Sequence, residues 1–210
     1  SLEVDNGLAT VTLNRPESAN AMDIQMSLEL MKVSIECDEN PAIRAVLMTG
    51  AGKMFSAGGD LKSFSAAGDD VPKLVKEMTV YLHGAVSRFS RMDAPVVMAV
   101  NGTAAGAGMS LAATGDMVLA GESARFTMAY TAAALSPDGS STYFLPRLIG
   151  MRRTQELMLT NRLLSAQEAC DWGLVNRVVP DAQLMDEAIL LAQKFAQGPT
   201  RAYGAVKTLL

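Results

Sequence analysis

One histidine, His83, is the whole imidazole complement of this 210-residue chain. A metal site built from several histidines is therefore excluded, and no metal is expected. The two cysteines, Cys37 and Cys170, lie far apart and match no metal-ligand spacing, so they read as free thiols rather than a disulfide framework. Positive charge is not in excess either. The formal net charge is −4, which argues against a nucleic-acid surface. No apolar stretch reaches the roughly 18 residues a membrane span needs, and no charged-then-apolar leader opens the chain. The expectation is a cytoplasmic protein with neither membrane nor nucleic-acid partners.

What is present is ordinary for a folded soluble chain: 49% hydrophobic and 19% charged residues, with 17 glycines and 8 prolines. The length suits one domain over residues 1–210, burying roughly 70% of its unfolded surface. An anionic ligand still has local positives to use, Arg15, Lys53 and Lys62, together with helix N-termini.

Along the chain, strand and helix signals alternate. Leu2–Leu13 reads as a hairpin turning at Asp5-Asn6-Gly7. Asp23 is the N-cap of a helix with Leu28, Met31 and Ile35 on one face, closed by Asn40-Pro41. Ala45–Met48 and Pro95–Val100 are apolar strands, each followed by a glycine-rich turn, and Met117–Ala120 is a third buried strand. Residues Lys62–Lys76 show no clear period and read as a mobile surface loop. A helix follows over Tyr81–Arg91, with Tyr81, Ala85, Val86 and Phe89 on one face. Met109–Thr114 and Gly150–Asn161 are helical, the latter with Leu157 and Met158 inward. Ser165-Ala166-Gln167-Glu168 is a capping box, and Trp172-Gly173 stops the helix it opens. Val175–Val179 is a strand, Asp181–Gln197 an amphipathic helix, and Pro199–Leu210 reads as a helix cut off in mid-course. Strands alternating with helices point to an α/β architecture.

Two turns carry the chemistry: Phe55-Ser56-Ala57-Gly58-Gly59-Asp60-Leu61, and Asn101-Gly102 through Gly106-Ala107-Gly108. Small residues let backbone approach a ligand, and two N–H groups converging on one oxygen make an oxyanion hole. Either turn alone can be simple tight packing. In this order and spacing, together with Asn14-Arg15-Pro16, Asn20-Ala21 and Ala169-Cys170-Asp171-Trp172-Gly173-Leu174-Val175, they resemble the crotonase (enoyl-CoA hydratase/isomerase) superfamily over essentially the whole chain. The resemblance implies a spiral of ββα repeats with peripheral helices, assembled as a homotrimer or hexamer, with further C-terminal helices that this sequence lacks. It implies an acyl-CoA thioester substrate, with coenzyme A part of the substrate and no separate cofactor. The N–H groups of Gly59 and Ala107 would hold the thioester oxygen. Ala57, Gly59 and Leu61 would line the coenzyme A path.

The sequence also departs from the family. Where the hydratases carry two glutamates, this chain has Ser110 and Tyr130, so hydration by that pair is not expected. Pro137-Asp138 stands where some members place a catalytic aspartate, among them the phenylacetate-pathway enoyl isomerases and the chlorobenzoyl-CoA dehalogenases. His83 and Tyr130 match positions of the dehalogenase site, its tryptophan being replaced by Tyr130. The Ala104–Gly108 turn and Pro137-Asp138-Gly139 look more like the isomerases. The reading favours an isomerase with Asp138 as acid/base, over an enoyl-CoA hydratase, a hydrolytic enzyme with Asp138 as nucleophile and His83 as base, or a non-catalytic thioester-binding relative. Plain structural roles compete at each position. Asp138 can be a turn or helix-cap residue, His83 a satisfied half-buried one, and Tyr130 core. Ser110 and Trp172 read as structural, Asp60 as a turn-fixing residue, and the methionines as core filler mostly on helix faces.

Overall fold

The computed structural model describes residues 1–210. β1 (Leu2–Asp5) and β2 (Leu8–Leu13) form the expected hairpin, with Asn6 and Gly7 both at positive φ, as a tight two-residue turn requires. α1 (Ile24–Glu39) starts where Asp23 accepts a hydrogen bond from the Met26 N–H at 2.8 Å. Three strand–strand–helix units follow: β3 (Ala45–Gly50), β4 (Met54–Ser56), then α2 (Leu61–Ala67) and α3 (Val71–Arg91); β5 (Val96–Val100), β6 (Thr103–Ala105) and α4 (Ala107–Ala112); β7 (Met117–Gly121), β8 (Arg125–Thr127), then α5 (Ser141–Ile149) and α6 (Met151–Thr160). The chain closes with β9 (Leu164–Ser165), α7 (Ala166–Trp172), β10 (Arg177–Val179), α8 (Leu184–Ala196) and α9 (Thr200–Leu209).

The first strand of each unit enters one sheet and the second enters another. The larger sheet has the order β1-β2-β3-β5-β7-β10, parallel except for the opening hairpin, and the smaller has the order β4-β6-β8-β9. This is an α/β fold wound as a spiral of ββα units, as the motifs implied. The large sheet is covered on both faces, which explains its continuous apolar strands. Val46, Met48, Met98 and Val118 belong to the main core. Leu47, Val97, Ala99 and Leu119 face the other way, onto Leu184, Ala188, Ala192 and Ala196 of α8. Those four recur every fourth residue, and the three alanines let the helix lie close to the sheet.

Several expectations need correction. Residues 62–76 are not a loop: Asp60 caps α2, and α3 begins at Val71 with Pro72 in its first turn, a favoured place for proline. The buried face of α1 is Met26, Leu30 and Cys37, while Ile35 is exposed and Leu28 and Met31 are half-buried. Met31 instead lies against Gly84 of α3, where a Cβ would meet its sulfur at 2.7 Å. On α3, Leu82 rather than Tyr81 points fully inward. The helix expected over 150–161 is present as α6, with Leu157 fully inward and Met158 half-buried, and α5 precedes it from Ser141. The buried methionines are not confined to helices; Met48 and Met98 sit in the centre of the large sheet. The hairpin, the Ser165–Glu168 capping box and the left-handed stop at Gly173 are as expected. No helix is long and apolar enough to cross a membrane.

Candidate active site

The first glycine turn is strapped down from one side by residues 15–23. Met22 N–H donates to Gly58 O at 2.7 Å, Asp60 N–H to Met22 O at 2.9 Å, and Ala57 N–H to Ala19 O at 2.9 Å. Fully buried Asn20 donates to Ala51 O and Met54 O and accepts from Arg15 N–H. Arg15 bonds Ala21 O and pairs with Asp23 at 3.2 Å and Asp60 at 3.3 Å. Arg15 is thus spent inside the protein and is not an anion holder, contrary to the composition-based reading. Asp60 also accepts from Lys62 N–H and Ser63 N–H. Burial alone pushes its carboxyl up, but the Ser63 hydrogen bonds and Arg15 outweigh it, and the net direction is downward. Asp60 therefore fixes the turn, as expected.

The second turn is brought against the first because β4 and β6 pair in parallel. Gly58, at φ 89°, has no room for a side chain: a Cβ there would lie 2.7 Å from Ala105 O and 3.1 Å from Ala107 N. Gly108 is equally tight against Ser56 of β4. The close approach sets Ala107 N beside the Gly58–Gly59 turn. The N–H groups of Gly59 and of Ala107, the first residue of α4, have no acceptor within the protein.

Both residues line a cavity of about 310 Å³, most of whose 18 lining residues are hydrophobic. Ala57, Leu61, Tyr130 and Asp138 line it as well, so six of the seven site residues read from the sequence meet there. Val75, Met78, Thr79 and Leu82 supply one wall, from the face of α3. The Thr79 hydroxyl donates to Lys76 O, so its proton is committed while its oxygen can still accept. The Phe64 ring lies over Gly59, where a Cβ would meet it at 3.0 Å. Of these, Phe64 and Val75 fall in the segment read as a loop, and none was named as a site residue. The signal was there: positions 75, 78, 79 and 82 have helical spacing, just after an Asp-Val-Pro helix start.

Asp138 is the one carboxylate lining the cavity. Its Oδ1 accepts from the Tyr130 hydroxyl at 2.6 Å, and its Oδ2 lies 3.4 Å from His83 Nε2. The seventh site residue, His83, thus stands behind Asp138, outside the cavity lining. Its Nε2 also accepts from Gly139 N–H at 3.2 Å. That nitrogen serves the amide through a lone pair or the carboxylate through a proton, one at a time. Burial first, then the adjacent Asp138 charge, pushes the Tyr130 phenol far above its ordinary pKa. Tyr130 therefore keeps its proton and donates it. The Asp138 side chain does not cap α5, whose N-cap is Ser140. Ser110 is fully buried, with its Oγ 2.9 Å from the Tyr130 hydroxyl. Gly139, at φ 58°, packs so closely that a Cβ there would meet Ser110 Cβ at 2.9 Å.

Residues 3–210 match the family model described as enoyl-CoA hydratase/isomerase. The chain is 39% identical over 206 residues to the 1,2-epoxyphenylacetyl-CoA isomerase of Escherichia coli K12, covering 97% of this chain and 78% of that protein. It is 33% identical over 208 residues to 4-chlorobenzoyl coenzyme A dehalogenase-2 of an Arthrobacter species, covering 99% and 75%. Among solved structures, the enoyl-CoA hydratase of Bacillus anthracis superposes with a TM-score of 0.92 at 34% identity, covering 99% of this chain and 80% of that one.

Proposed function

This chain belongs to the enoyl-CoA hydratase/isomerase family, and from that membership we propose that it moves a double bond within an enoyl-CoA by way of a thioester enolate. The observation that carries this reading is the single carboxylate facing the cavity, Asp138. The thioester oxygen sits between the N–H groups of Gly59 and Ala107, with Ala57 and Leu61 along the coenzyme A path. Asp138 Oδ2 takes the acidified proton beside the thioester, and the electron pair moves onto the oxygen. The same carboxyl then returns the proton at the far end of the conjugated system, the electrons fall back, and the double bond has moved. One base suffices, because the proton removed is the proton replaced. Tyr130 holds the other carboxylate oxygen throughout. A general base contributes about 10²–10⁴-fold, and each oxyanion donor about 10²–10³-fold. No cofactor beyond the substrate's own coenzyme A is required.

The hydratase alternative needs a second carboxylate across the double bond, and the cavity lining supplies none. The contact between His83 and Asp138 favours a second reading, in which Asp138 attacks an aromatic carbon and His83 activates the water that releases the product. A panel of aliphatic and aryl enoyl-CoA and halobenzoyl-CoA thioesters, turned over by wild type and Asp138→Asn, separates these. Double-bond migration lost in the variant supports the isomerase, and halide release moves the assignment to the hydrolytic reading. Hydration that survives in the variant rejects Asp138. Tight binding without turnover of any ester indicates a non-catalytic relative. The proposal includes cytoplasmic residence and a homotrimer or hexamer, the latter checked by light scattering after gel filtration.

A further inference from the structure

Ser110 is fully buried, yet its hydroxyl stands between the two halves of the site. Its Oγ is 2.9 Å from the Tyr130 hydroxyl and 3.2 Å from Gly106 O, the carbonyl of the peptide whose N–H belongs to Ala107. The hydroxyl has one proton and these two acceptors. Gly106 O already accepts the Ser110 backbone N–H at 3.0 Å. The Tyr130 oxygen gives its own proton to Asp138, and no other donor reaches it. The shorter distance and the unsatisfied lone pair both direct the Ser110 proton to Tyr130.

We propose that Ser110 is a positioning residue for the reaction, donating to Tyr130 so that the Tyr130 hydroxyl is held toward Asp138 Oδ1 and Oδ2 is left to handle the proton. Hydrogen bonds in a chain polarise one another, so the donor behind Tyr130 strengthens and orients the bond in front of it. The carboxylate belongs to a turn, and apart from Tyr130 only the half-exposed His83 approaches its oxygens. A hydroxyl two bonds away therefore sets where the base points without touching substrate. The inference rests on the proposed role of Asp138 as acid/base.

The test is a double-mutant cycle with β,γ-hexenoyl-CoA as the probe, following its conversion to the α,β isomer. Loss of a buried neutral hydrogen bond acting through another group corresponds to about a 3–10-fold fall in kcat for Ser110→Ala, with KM changed less than about twofold. In a Tyr130→Phe background the same change has no further effect, because the oxygen that receives the Ser110 proton is gone. A merely structural serine gives the same loss in both backgrounds, and that additivity overturns the proposal, as does a loss carried wholly by KM. Asp138→Asn is run alongside. If it stays active, the acid/base reading falls and this inference with it. If it is inactive while the cycle is additive, only the relay is lost.

Discussion

The two sides of the cavity are built from different materials. On one side, the polar groups are backbone N–H groups of Gly59 and Ala107, on turns fixed by strand pairing and by glycines with no room for a Cβ. On the other, a carboxylate on the Pro137–Gly139 turn is aimed by side chains from three places: Tyr130, Ser110 behind it and His83. The first side can be altered only by changing shape, since its polar groups belong to the backbone. The second can be altered atom by atom. A fold that keeps the backbone side and varies the side-chain side can hold one thioester chemistry and change the steps after it, in keeping with relatives described as isomerases, dehalogenases and hydratases.

The sharpest break in that comparison is Asp138→Asn. It removes the proposed base and leaves both turns untouched, so kcat for double-bond migration falls by about 10³-fold or more, while a non-reactive acyl-CoA binds unchanged by calorimetry. Gly58→Ala attacks the other side. Its Cβ would press on Ala105 O and Ala107 N at a φ of 89° that disfavours any side chain. Displacing the oxyanion donors lowers kcat by about 10²-fold, and thermal melting shows a less stable protein. Tyr130→Phe keeps the ring and removes the donor to Asp138. A hydrogen bond to a charged group is worth about 1.5–3 kcal/mol, so steady-state kinetics should show about a 10–100-fold fall in kcat.

The smallest effect is on stability and comes from acid. Hydrogen bonds and Arg15 hold the Asp60 carboxyl below its ordinary value of 3.8 in the folded state. A depressed carboxyl stabilises above its unfolded pKa, and the contribution is lost as pH falls through the folded value. Asp60→Asn is therefore less stable than wild type by about 1 kcal/mol at neutral pH. The two melting temperatures converge as pH drops below about 4. A gap that stays constant with pH would mean that Asp60 acts by shape rather than by charge.

Much of the frame was legible from local chemistry. Asn6-Gly7 specified a tight turn, Asp23 a helix start, and Ser165 with Glu168 a capping box, because each acts within a few residues. The lining of the cavity was legible at Gly59 and at Asp138. The helical character of residues 62–76 was not, since Gly68 and the polar run hide one exposed face of two consecutive helices. Its buried face shows only when Val75, Met78 and Leu82 are read after the Asp70-Val71-Pro72 start. The inward face of α1 was misread because the helix packs on the core along one stripe and on α3 along another.

The sequence by itself determined where the chain turns, which strands are wholly apolar, and which small residues must let backbone come close. These features arise from sterics, capping and burial along a few consecutive residues. Only the tertiary structure decided that Arg15 is consumed by Asp23 and Asp60, that strands of two or three residues form a second sheet, and that Ser110, Tyr130, Asp138 and His83 touch. Those contacts join residues up to 55 positions apart. They arise from how the ββα units stack, and no local preference encodes a distance between two side chains on different elements.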